Sequence, residues 1–351
     1  MSLETREIAP GYAITRLIRG GWQLAGGHGT IDREQAVEDL LAAFDAGVTT
    51  FDCADIYSGV EELYGAFRER LRVSRGEEAE RRLRVHTKLV PDLAILPTIR
   101  RADLAAIVDR SLRRLCVDRL DLVQFHWWDY EAPRWLEALG GLDDLRRAGK
   151  VRLIGGTNFN GRRVGDILAA GIPLTSMQVQ YSVLDRRPES GLAELCRARG
   201  VALLCYGTVA GGFLSDRWFG APEPAAPLAN RSLVKYKLIV EDFGGWSLFQ
   251  ELLRALRRVA DRHRADIASV ATRLTLDFPG VAAAIVGATS QKHLAANVAA
   301  VQLALTDADR AEVEAVARKR RGPSGDVYEL ERDRTGRHGS VMKYNLNVES
   351  A

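Results

Sequence analysis

The segment VTTFDCADIY (residues 48–57) is a short β-branched and aromatic run that ends in ionisable side chains. Its first five residues have the composition of a buried strand, which finishes at Asp52. Tyr57 follows five residues later, on the adjoining loop. In α/β barrels the reactive groups lie on the loops at the carboxyl ends of the strands. The segment therefore predicts one strand of such a fold together with part of its functional site.

The same order of short apolar run, loop and amphipathic helix recurs about every 30–40 residues along the chain. The first helix is typical, because Asp32 and Gln35 match a capping box, apolar residues follow at helical spacing, and Gly47 is a stop signal. The predicted strands are 16–22, 48–52, 82–88, 120–126, 150–156, 174–180, 201–206 and 282–287. The further predicted helices are 59–73, 100–116, 134–148, 160–170, 188–199, 248–264 and 291–303.

Eight units in alternation predict parallel strands with the helices outside. In a chain of 351 residues they favour a closed (β/α)8 TIM barrel over an open sheet. A doubly wound sheet is the weaker alternative, because no GxGxxG motif follows the first strand. We therefore expect a single domain over residues 1–351, with the barrel at 14–306.

Two segments interrupt the repeat. Residues 207–247 form a long loop after strand 7, and their tryptophans and apolar residues favour an ordered lid over a flexible linker. A C-terminal helix near 306–319 begins the last segment, 306–351, whose tail 320–351 is polar and contains glycine. The tail has two open interpretations, a solvated terminus or a flap that helps to close the pocket.

Charge and hydropathy exclude several classes of partner. The net charge is only +3 and the signs are interspersed, which gives no reason to expect nucleic acid or a membrane surface as a partner. No apolar run approaches the roughly 18 residues of a membrane span, and the N-terminus lacks a signal-peptide pattern, so we expect a cytoplasmic protein. The four cysteines are scattered, which predicts reduced thiols and no metal site. Cys53 is either a small core residue or a reactive thiol.

The residues at the predicted strand ends are polar, ionisable or aromatic, whereas the strand interiors are aliphatic. They are Trp22, Asp52, Lys88, His126, Thr157, Asn158, Gln178, Gln180, Tyr206 and Gly287. The strand ends of a barrel meet on one face, so these side chains should converge on one pocket. Asp52, Lys88 and His126 end three successive strands and should be near neighbours.

A lysine in such a pocket needs an opposite charge, and Asp52 is the expected partner of Lys88. The ammonium should in turn lower the pKa of Tyr57 from its ordinary value of about 10. Tyr57 is thereby a candidate general acid. Each residue also has a structural explanation, such as a helix cap for Asp52 or a core position for His126. Only the four together favour a catalytic site.

At this point the chain resembles the aldo-keto reductase family. The resemblance covers about residues 10–306, in the family's order and spacing. It rests on FDCADIY (51–57), VHTKL (85–89), LVQFHWWD (122–129), GGTNF (155–159), QVQYSVLDR (178–186), YGTVAGGFL (206–214) and IVGATSQKHLAAN (285–297). The catalytic tetrad implied by the resemblance is Asp52, Tyr57, Lys88 and His126. In that mechanism Tyr57 delivers the proton, and His126 orients and polarises the substrate oxygen.

The resemblance also implies a nicotinamide cofactor and a small-molecule carbonyl substrate. The nicotinamide carboxamide would be held by Thr157, Asn158 and Gln178, and Tyr206 would stack on the ring. The implied pyrophosphate and adenosine contacts are Gly207, Gly211, Leu214, Gly287, Thr289, His293 and Asn297. The N-terminus of the last barrel helix also favours phosphate on physical grounds. Trp22 and Trp127 would form walls of the substrate pocket.

Two departures from the family pattern concern the choice of cofactor. Thr289 stands where many relatives have the arginine that binds the 2′-phosphate of NADP, and Ala296 stands where an acidic residue is frequent. Lys292 or the lid residue Lys235 would have to supply the missing charge. The expected cofactor is NADP(H), with NAD(H) as the alternative.

The predicted function is NADP(H)-dependent reduction of an aldehyde or ketone to an alcohol. One alternative is a cofactor-binding regulatory subunit of the potassium-channel β-subunit type, with little or no turnover. A second is a Schiff-base lyase that uses Lys88. The presence of Asp52, Tyr57 and His126 near Lys88 disfavours the lyase. No sequence feature indicates the oligomeric state or the physiological substrate.

Overall fold

A computed structural model describes residues 3–347, and its central element is a closed barrel of parallel strands. The strands are β1 (Thr5–Ala9), β2 (Tyr12–Thr15), β3 (Leu17–Gly20), β4 (Thr50–Asp52), β5 (Arg84–Leu89), β6 (Leu120–Phe125), β7 (Val151–Thr157), β8 (Leu174–Gln180), β9 (Ala202–Tyr206) and β10 (Val281–Gly287). Strands β3 to β10 pair in chain order, and β10 closes the barrel against β3. The predicted (β/α)8 TIM barrel is therefore confirmed.

The hairpin of β1 and β2 was not predicted from the sequence. Its strands pair antiparallel, and Tyr12 and Ile14 of β2 are fully buried. They pack with Ile18, Leu122 and other apolar side chains inside the barrel. Because these residues precede the polar strand ends, the hairpin closes the amino-terminal end of the barrel and leaves the carboxyl end for the site.

Helices follow the barrel strands and surround them. They are α1 (Arg33–Asp45), α2 (Val60–Arg75), α3 (Glu77–Arg82), α4 (Arg101–Leu115), α5 (Trp135–Arg147), α6 (Gly161–Ala169), α7 (Leu192–Ala198), α8 (Arg231–Phe243), α9 (Gly245–His263), α10 (Ile267–Leu276), α11 (Leu294–Gln302), α12 (Asp307–Ala317) and α13 (Glu329–Arg332). Asp32 caps α1 by accepting from the backbone N–H of Glu34 and Gln35. The amide of Gln35 bonds to Asp39, so it does not complete the predicted capping box.

The 207–247 segment contains α8, which was not predicted. Within the segment, the ring centres of Phe213 and Trp218 lie 5.0 Å apart. The Phe213 ring also packs on Phe249 of α9, with the ring centres 6.1 Å apart. Apolar side chains of α8, α9, α10 and α12 complete this second core. The segment is thus ordered by its own apolar packing.

The C-terminal tail lies against the carboxyl end of the barrel. The Arg187 guanidinium donates to both carboxylate oxygens of Glu331, at 2.8 and 3.0 Å, and both side chains are buried. Farther along the tail, the carbonyl oxygen of Tyr344 accepts from the backbone N–H of Leu93 at 2.9 Å. Between the two interpretations of the tail, these contacts favour the packed flap for the residues up to 347.

The helices of residues 3–347 were also searched for membrane spans, and none of them is both long and apolar enough to cross a bilayer. Within the same residues no group of three or more His, Cys, Asp or Glu side chains is arranged to hold a metal ion.

Candidate active site

Asp52 and Lys88 form a buried ion pair at the carboxyl end of the barrel. In the pairing of β4 with β5, Asp52 lies opposite His86. Lys88 follows His86 by two residues, so its side chain points to the same inner face of the barrel. The Lys88 ammonium donates to Asp52 Oδ2 at 2.6 Å and to the carbonyl oxygen of Cys53 at 2.8 Å. Burial alone would lower the pKa of Lys88, but the Asp52 carboxylate outweighs it and the pKa is raised. Lys88 is therefore a fixed ammonium at neutral pH.

Two glutamine amides hold the other oxygen of Asp52. Gln124 and Gln178 donate to Asp52 Oδ1 at 2.8 and 2.7 Å, and Gln178 also donates to Gln124 Oε1 at 2.9 Å. Gln178, which the resemblance assigns to the carboxamide, therefore has its amide nitrogen committed inside the barrel. Gln124 was missed by sequence reasoning, although it lies two residues before His126 and so points to the same face.

Tyr57 lies on the loop after β4, with its ring facing Lys88. The Lys88 Nζ atom is 5.1 Å from the centre of the ring. Burial raises the pKa of Tyr57 above its ordinary value, and the opposing effect of the Lys88 charge is smaller. The predicted lowering of this pKa is thus wrong in sign, because the cost of burying a phenolate exceeds the attraction of the ammonium.

His126 follows β6 and presents one free nitrogen. Its Nδ1 lies 3.2 Å from the carbonyl oxygen of Thr157. Since a carbonyl oxygen only accepts, this contact places the proton on Nδ1 and leaves a lone pair on Nε2. Nε2 is buried and has no hydrogen-bond partner among residues 3–347. Burial lowers the pKa of His126 to about 3, so the ring is neutral at physiological pH.

Aromatic side chains form the walls next to these groups. Trp22 lies 5.1 Å from the ring of Tyr57, as expected of a pocket wall. Trp127 is fully buried in the core and stacks on Phe125 at 5.8 Å, so its assignment to the substrate pocket is corrected. Trp128 meets the His126 ring edge-on, with the ring centres 4.3 Å apart.

The residues assigned to the nicotinamide end lie together. The Tyr206 hydroxyl donates to Asn158 Oδ1 at 2.8 Å, and Thr157 Oγ1 donates to the carbonyl oxygen of Gln178 at 3.2 Å. Asn158 has a positive φ of 63°, a conformation that asparagine tolerates better than most residues. The hydrogen bond to Asn158 fixes the orientation of the Tyr206 ring.

The segment assigned to the pyrophosphate is packed under Tyr236 of α8. A side chain at Gly207 would meet the Tyr236 hydroxyl at 2.3 Å, and one at Gly211 would meet its ring at 2.6 Å. Both glycines also have positive φ, so both positions require glycine. Leu214 is fully buried in the second core, which leaves only its backbone for a ligand. The Thr208 hydroxyl, not predicted, is buried without a partner in the described chain.

The residues assigned to the adenosine end surround the start of α11. Gly287 ends β10, and a side chain there would collide with the Gln23 amide. His293 is the residue before α11 and is exposed, as is Thr289, whereas Asn297 is half-buried. Lys292 lies exposed on the same segment.

Three buried side chains near the site have other roles. The pKa of the Cys53 thiol is raised well above its ordinary value by burial, so Cys53 is a core residue and not a reactive thiol. Asp55 accepts from the backbone N–H of Val90 at 3.2 Å and supports the loop. His86 stacks on Tyr12 at 6.1 Å, and burial lowers its pKa to about 4.

The tail adds residues to the site that the sequence did not reveal. Tyr328 meets the His126 ring edge-on at 5.6 Å. Arg332 donates to the carbonyl oxygens of Trp127 and Asn158, at 3.1 and 2.9 Å. Both residues follow a polar, glycine-containing stretch with no strand or helix signal, so nothing in the local pattern placed them here.

Comparison with known proteins agrees with this geometry. A model of the aldo/keto reductase family matches residues 16–318. The chain is 25% identical over 312 residues to the NADH-specific methylglyoxal reductase of Escherichia coli (strain K12), covering 84% of this chain and 92% of that protein. It is 32% identical to Protein tas of the same organism, over 59% of this chain and 64% of that one.

Among solved structures, the fold is similar to a thermostable aldo-keto reductase, Tm1743, determined in complex with the inhibitor epalrestat. The TM-score is 0.70 and the identity 26%, over 90% of this chain and the whole of the other. Fold, family model and relatives therefore agree. The chain belongs to the aldo/keto reductase family, whose members are oxidoreductases of aldehydes and ketones.

Proposed function

We propose that this protein reduces an aldehyde or ketone to an alcohol with NADP(H), and that Tyr57 is the general acid. The observation that carries the proposal is the arrangement of ionisable groups at the carboxyl end of the barrel. A buried ion pair of Lys88 and Asp52 backs the Tyr57 ring, and the free Nε2 of His126 is buried at the same end of the barrel.

The proton comes from the Tyr57 hydroxyl. Because burial raises its pKa, the hydroxyl is protonated across the physiological range. As the carbonyl carbon gains a hydride, the C=O π electrons move to the oxygen, and this oxygen takes the proton from Tyr57. The phenolate left behind faces the Lys88 ammonium, which stabilises it.

His126 can accept a hydrogen bond from the hydroxyl of the alcohol product. With its proton on Nδ1, the neutral ring offers a lone pair at Nε2. That lone pair suits the hydroxyl of the alcohol and does not suit a bare carbonyl oxygen. We therefore assign the polarisation of the carbonyl to the Tyr57 hydroxyl, which differs from the role expected for His126 from the sequence.

The residues at the barrel rim fit a nicotinamide cofactor. The orphaned Thr208 hydroxyl suits a pyrophosphate oxygen, and the fixed ring of Tyr206 suits the nicotinamide. When bound, the reduced nicotinamide supplies the hydride. Gln178 would contact the carboxamide only through its remaining oxygen, since its amide nitrogen is committed to Asp52.

The preference for NADP(H) is the finer part of the proposal. Lys292 is the exposed cation on the 287–297 segment, and Ala296 leaves no carboxylate there to repel a 2′-phosphate. One relative is named as NADH-specific, so activity with NADPH should be compared with activity with NADH. Equal or lower kcat/KM with NADPH than with NADH would overturn the preference and leave the reaction class intact.

The experiment that tests the reaction is carbonyl reduction by the wild type and Tyr57→Phe, followed as loss of reduced-cofactor absorbance. Loss of a positioned general acid should lower kcat by about 100- to 10,000-fold. The matched control is Tyr181→Phe, another buried tyrosine, whose hydroxyl bonds to Glu189 outside the site. Full activity in Tyr57→Phe would exclude Tyr57 as the acid. Cofactor binding with no turnover of any carbonyl would favour the regulatory-subunit alternative.

A further inference from the structure

Two cations without a carboxylate partner among residues 3–347 lie near the ring of Tyr328, which contacts His126. The Lys235 ammonium is 5.7 Å from the centre of the Tyr328 ring, and the Arg332 guanidinium is 5.2 Å from the same ring. Neither Lys235 nor Arg332 forms an ion pair with a carboxylate of residues 3–347 (Arg332 bonds only to backbone carbonyls).

The Lys235 ammonium lies against tyrosine rings. Lys235 lies on α8, with its ammonium 5.1 Å from the Tyr206 ring and 5.5 Å from the Tyr236 ring. Lys237, two residues later, instead pairs with Glu223 and Glu241, both at 2.7 Å. The same helix thus offers one lysine that forms direct ion pairs and one that forms none with residues 3–347.

The nearest carboxylates are not available to Lys235. Glu331 attracts the Lys235 charge, but both of its oxygens are already bonded to Arg187. Asp185 is bonded to the same guanidinium at 2.7 Å. Lys235 therefore makes no hydrogen bond to either carboxylate, and its ammonium can bind an anion from outside the chain.

We propose that Lys235 binds an anionic group on the substrate, so that the preferred substrates are carbonyl compounds that carry a carboxylate or phosphate. This inference rests on the function proposed above and names the substrate class of the same site. The two ring contacts of Tyr328 limit the distance from the His126 ring to the Lys235 ammonium to about 11 Å. For a ligand that lies on the line between these two groups, with its carbonyl oxygen about 3 Å from the His126 ring and its anion about 3 Å from the ammonium, the oxygen and the anion are at most about 5 Å apart.

A small keto acid or a compact aldehyde acid meets this limit. The cofactor's own pyrophosphate is the competing anion, because α8 also packs on the 207–214 segment. The two differ in one respect: a substrate subsite distinguishes charged from neutral aldehydes, and a pyrophosphate contact does not.

The test compares 3-carboxybenzaldehyde with 3-formylbenzamide, which has nearly the same shape and no charge. The wild type, Lys235→Met and the control Lys237→Met are assayed at saturating reduced cofactor. Loss of a charge-assisted hydrogen bond changes binding by about ten- to hundredfold. We expect the wild type and Lys237→Met to favour the acid by that factor, mainly through KM. Lys235→Met should lose the preference and keep its kcat/KM for the amide.

A binding measurement separates this inference from the proposed function. Calorimetric titration of 3-carboxybenzaldehyde into the protein loaded with NADP⁺ reports binding where no reduction occurs. Weaker binding by about ten- to hundredfold in Lys235→Met supports the subsite, even if no carbonyl is turned over and the proposed reaction fails. Two results overturn the subsite while the reaction stands: turnover of both aldehydes without preference, or a rise in the KM for reduced cofactor that is equal with either aldehyde.

Discussion

Glu331→Gln should release the C-terminal tail from the barrel. The wild-type carboxylate accepts two hydrogen bonds from Arg187, and both side chains are buried. Burial alone would raise the pKa of Glu331, but the Arg187 charge and its hydrogen bonds outweigh this and lower the pKa to about 2. A depression from 4.5 to about 2 corresponds to about 3 kcal/mol of stabilisation at pH 7.

The pH dependence of this stabilisation has a definite sign. The pKa is lower in the folded protein than in the unfolded chain, so the stabilisation is complete above the unfolded value and is lost as the pH falls towards about 2. The ratio between the unfolding equilibrium constants of the variant and the wild type should be about fourfold smaller at pH 4 than at pH 7. A glutamine at this position does not titrate and contributes nothing to that change.

Hydrogen exchange measures the opening of the tail directly. The backbone N–H groups of Arg332 and Asp333 bond to the carbonyls of Tyr328 and Glu329, so they report on α13. In Glu331→Gln they should exchange about a hundredfold faster at pH 7. The control is Glu329→Gln, an exposed carboxylate of the same turn, for which we expect a change of less than about threefold. Unchanged exchange in Glu331→Gln, or equal acceleration in both variants, would refute the reasoning.

Three further predictions concern the site and the thiols. Lys88→Met leaves the Asp52 carboxylate without its ammonium and should lower the free energy of unfolding by about 3–5 kcal/mol, measured in urea; an unchanged midpoint and slope would show that the pair is not structural. Trp128→Phe should change the KM for the carbonyl substrate, whereas Trp127→Phe should leave KM unchanged and cost about 1 kcal/mol of stability through its lost hydrogen bond to the backbone; the reverse pattern would restore the first assignment of the pocket wall. Thiol titration of the native protein should detect Cys116 alone, because the other three cysteines are buried, and more than one reactive thiol would contradict that burial.

The barrel and the meeting of Asp52 with Lys88 could be predicted from the sequence because their signals are local. Each strand is a short apolar run that stops at a polar residue, and parallel strands bring those stops to one face. Asp52 and Lys88 therefore met as expected, 36 positions apart in the chain. Trp127 could not be placed in this way, because it follows the end of β6 and packs on Phe125 in the core.

The tail could not be placed by the same reasoning. Glu331 bonds to Arg187 across 144 positions, and neither residue is marked by periodicity, capping or turn chemistry. A polar segment is predicted to be solvent-exposed when the partners of its side chains are distant in sequence. Its packing depends on a buried ion pair, and only the three-dimensional arrangement shows that the charges compensate each other.

The sign of the Tyr57 pKa shift shows a second limit and has a consequence for the reaction. The sequence identified the neighbouring ammonium, but not how far the ring is withdrawn from water, and burial is the larger effect. A raised pKa keeps the hydroxyl protonated, which suits donation to a carbonyl oxygen and opposes removal of a proton from an alcohol. Reduction should therefore be nearly independent of pH around neutrality, whereas alcohol oxidation should accelerate as the pH rises towards the pKa of Tyr57. An oxidation rate that is flat between pH 7 and 9 would mean that the bound cofactor brings this pKa below neutrality, and Lys88 would then be the dominant influence on Tyr57 after all.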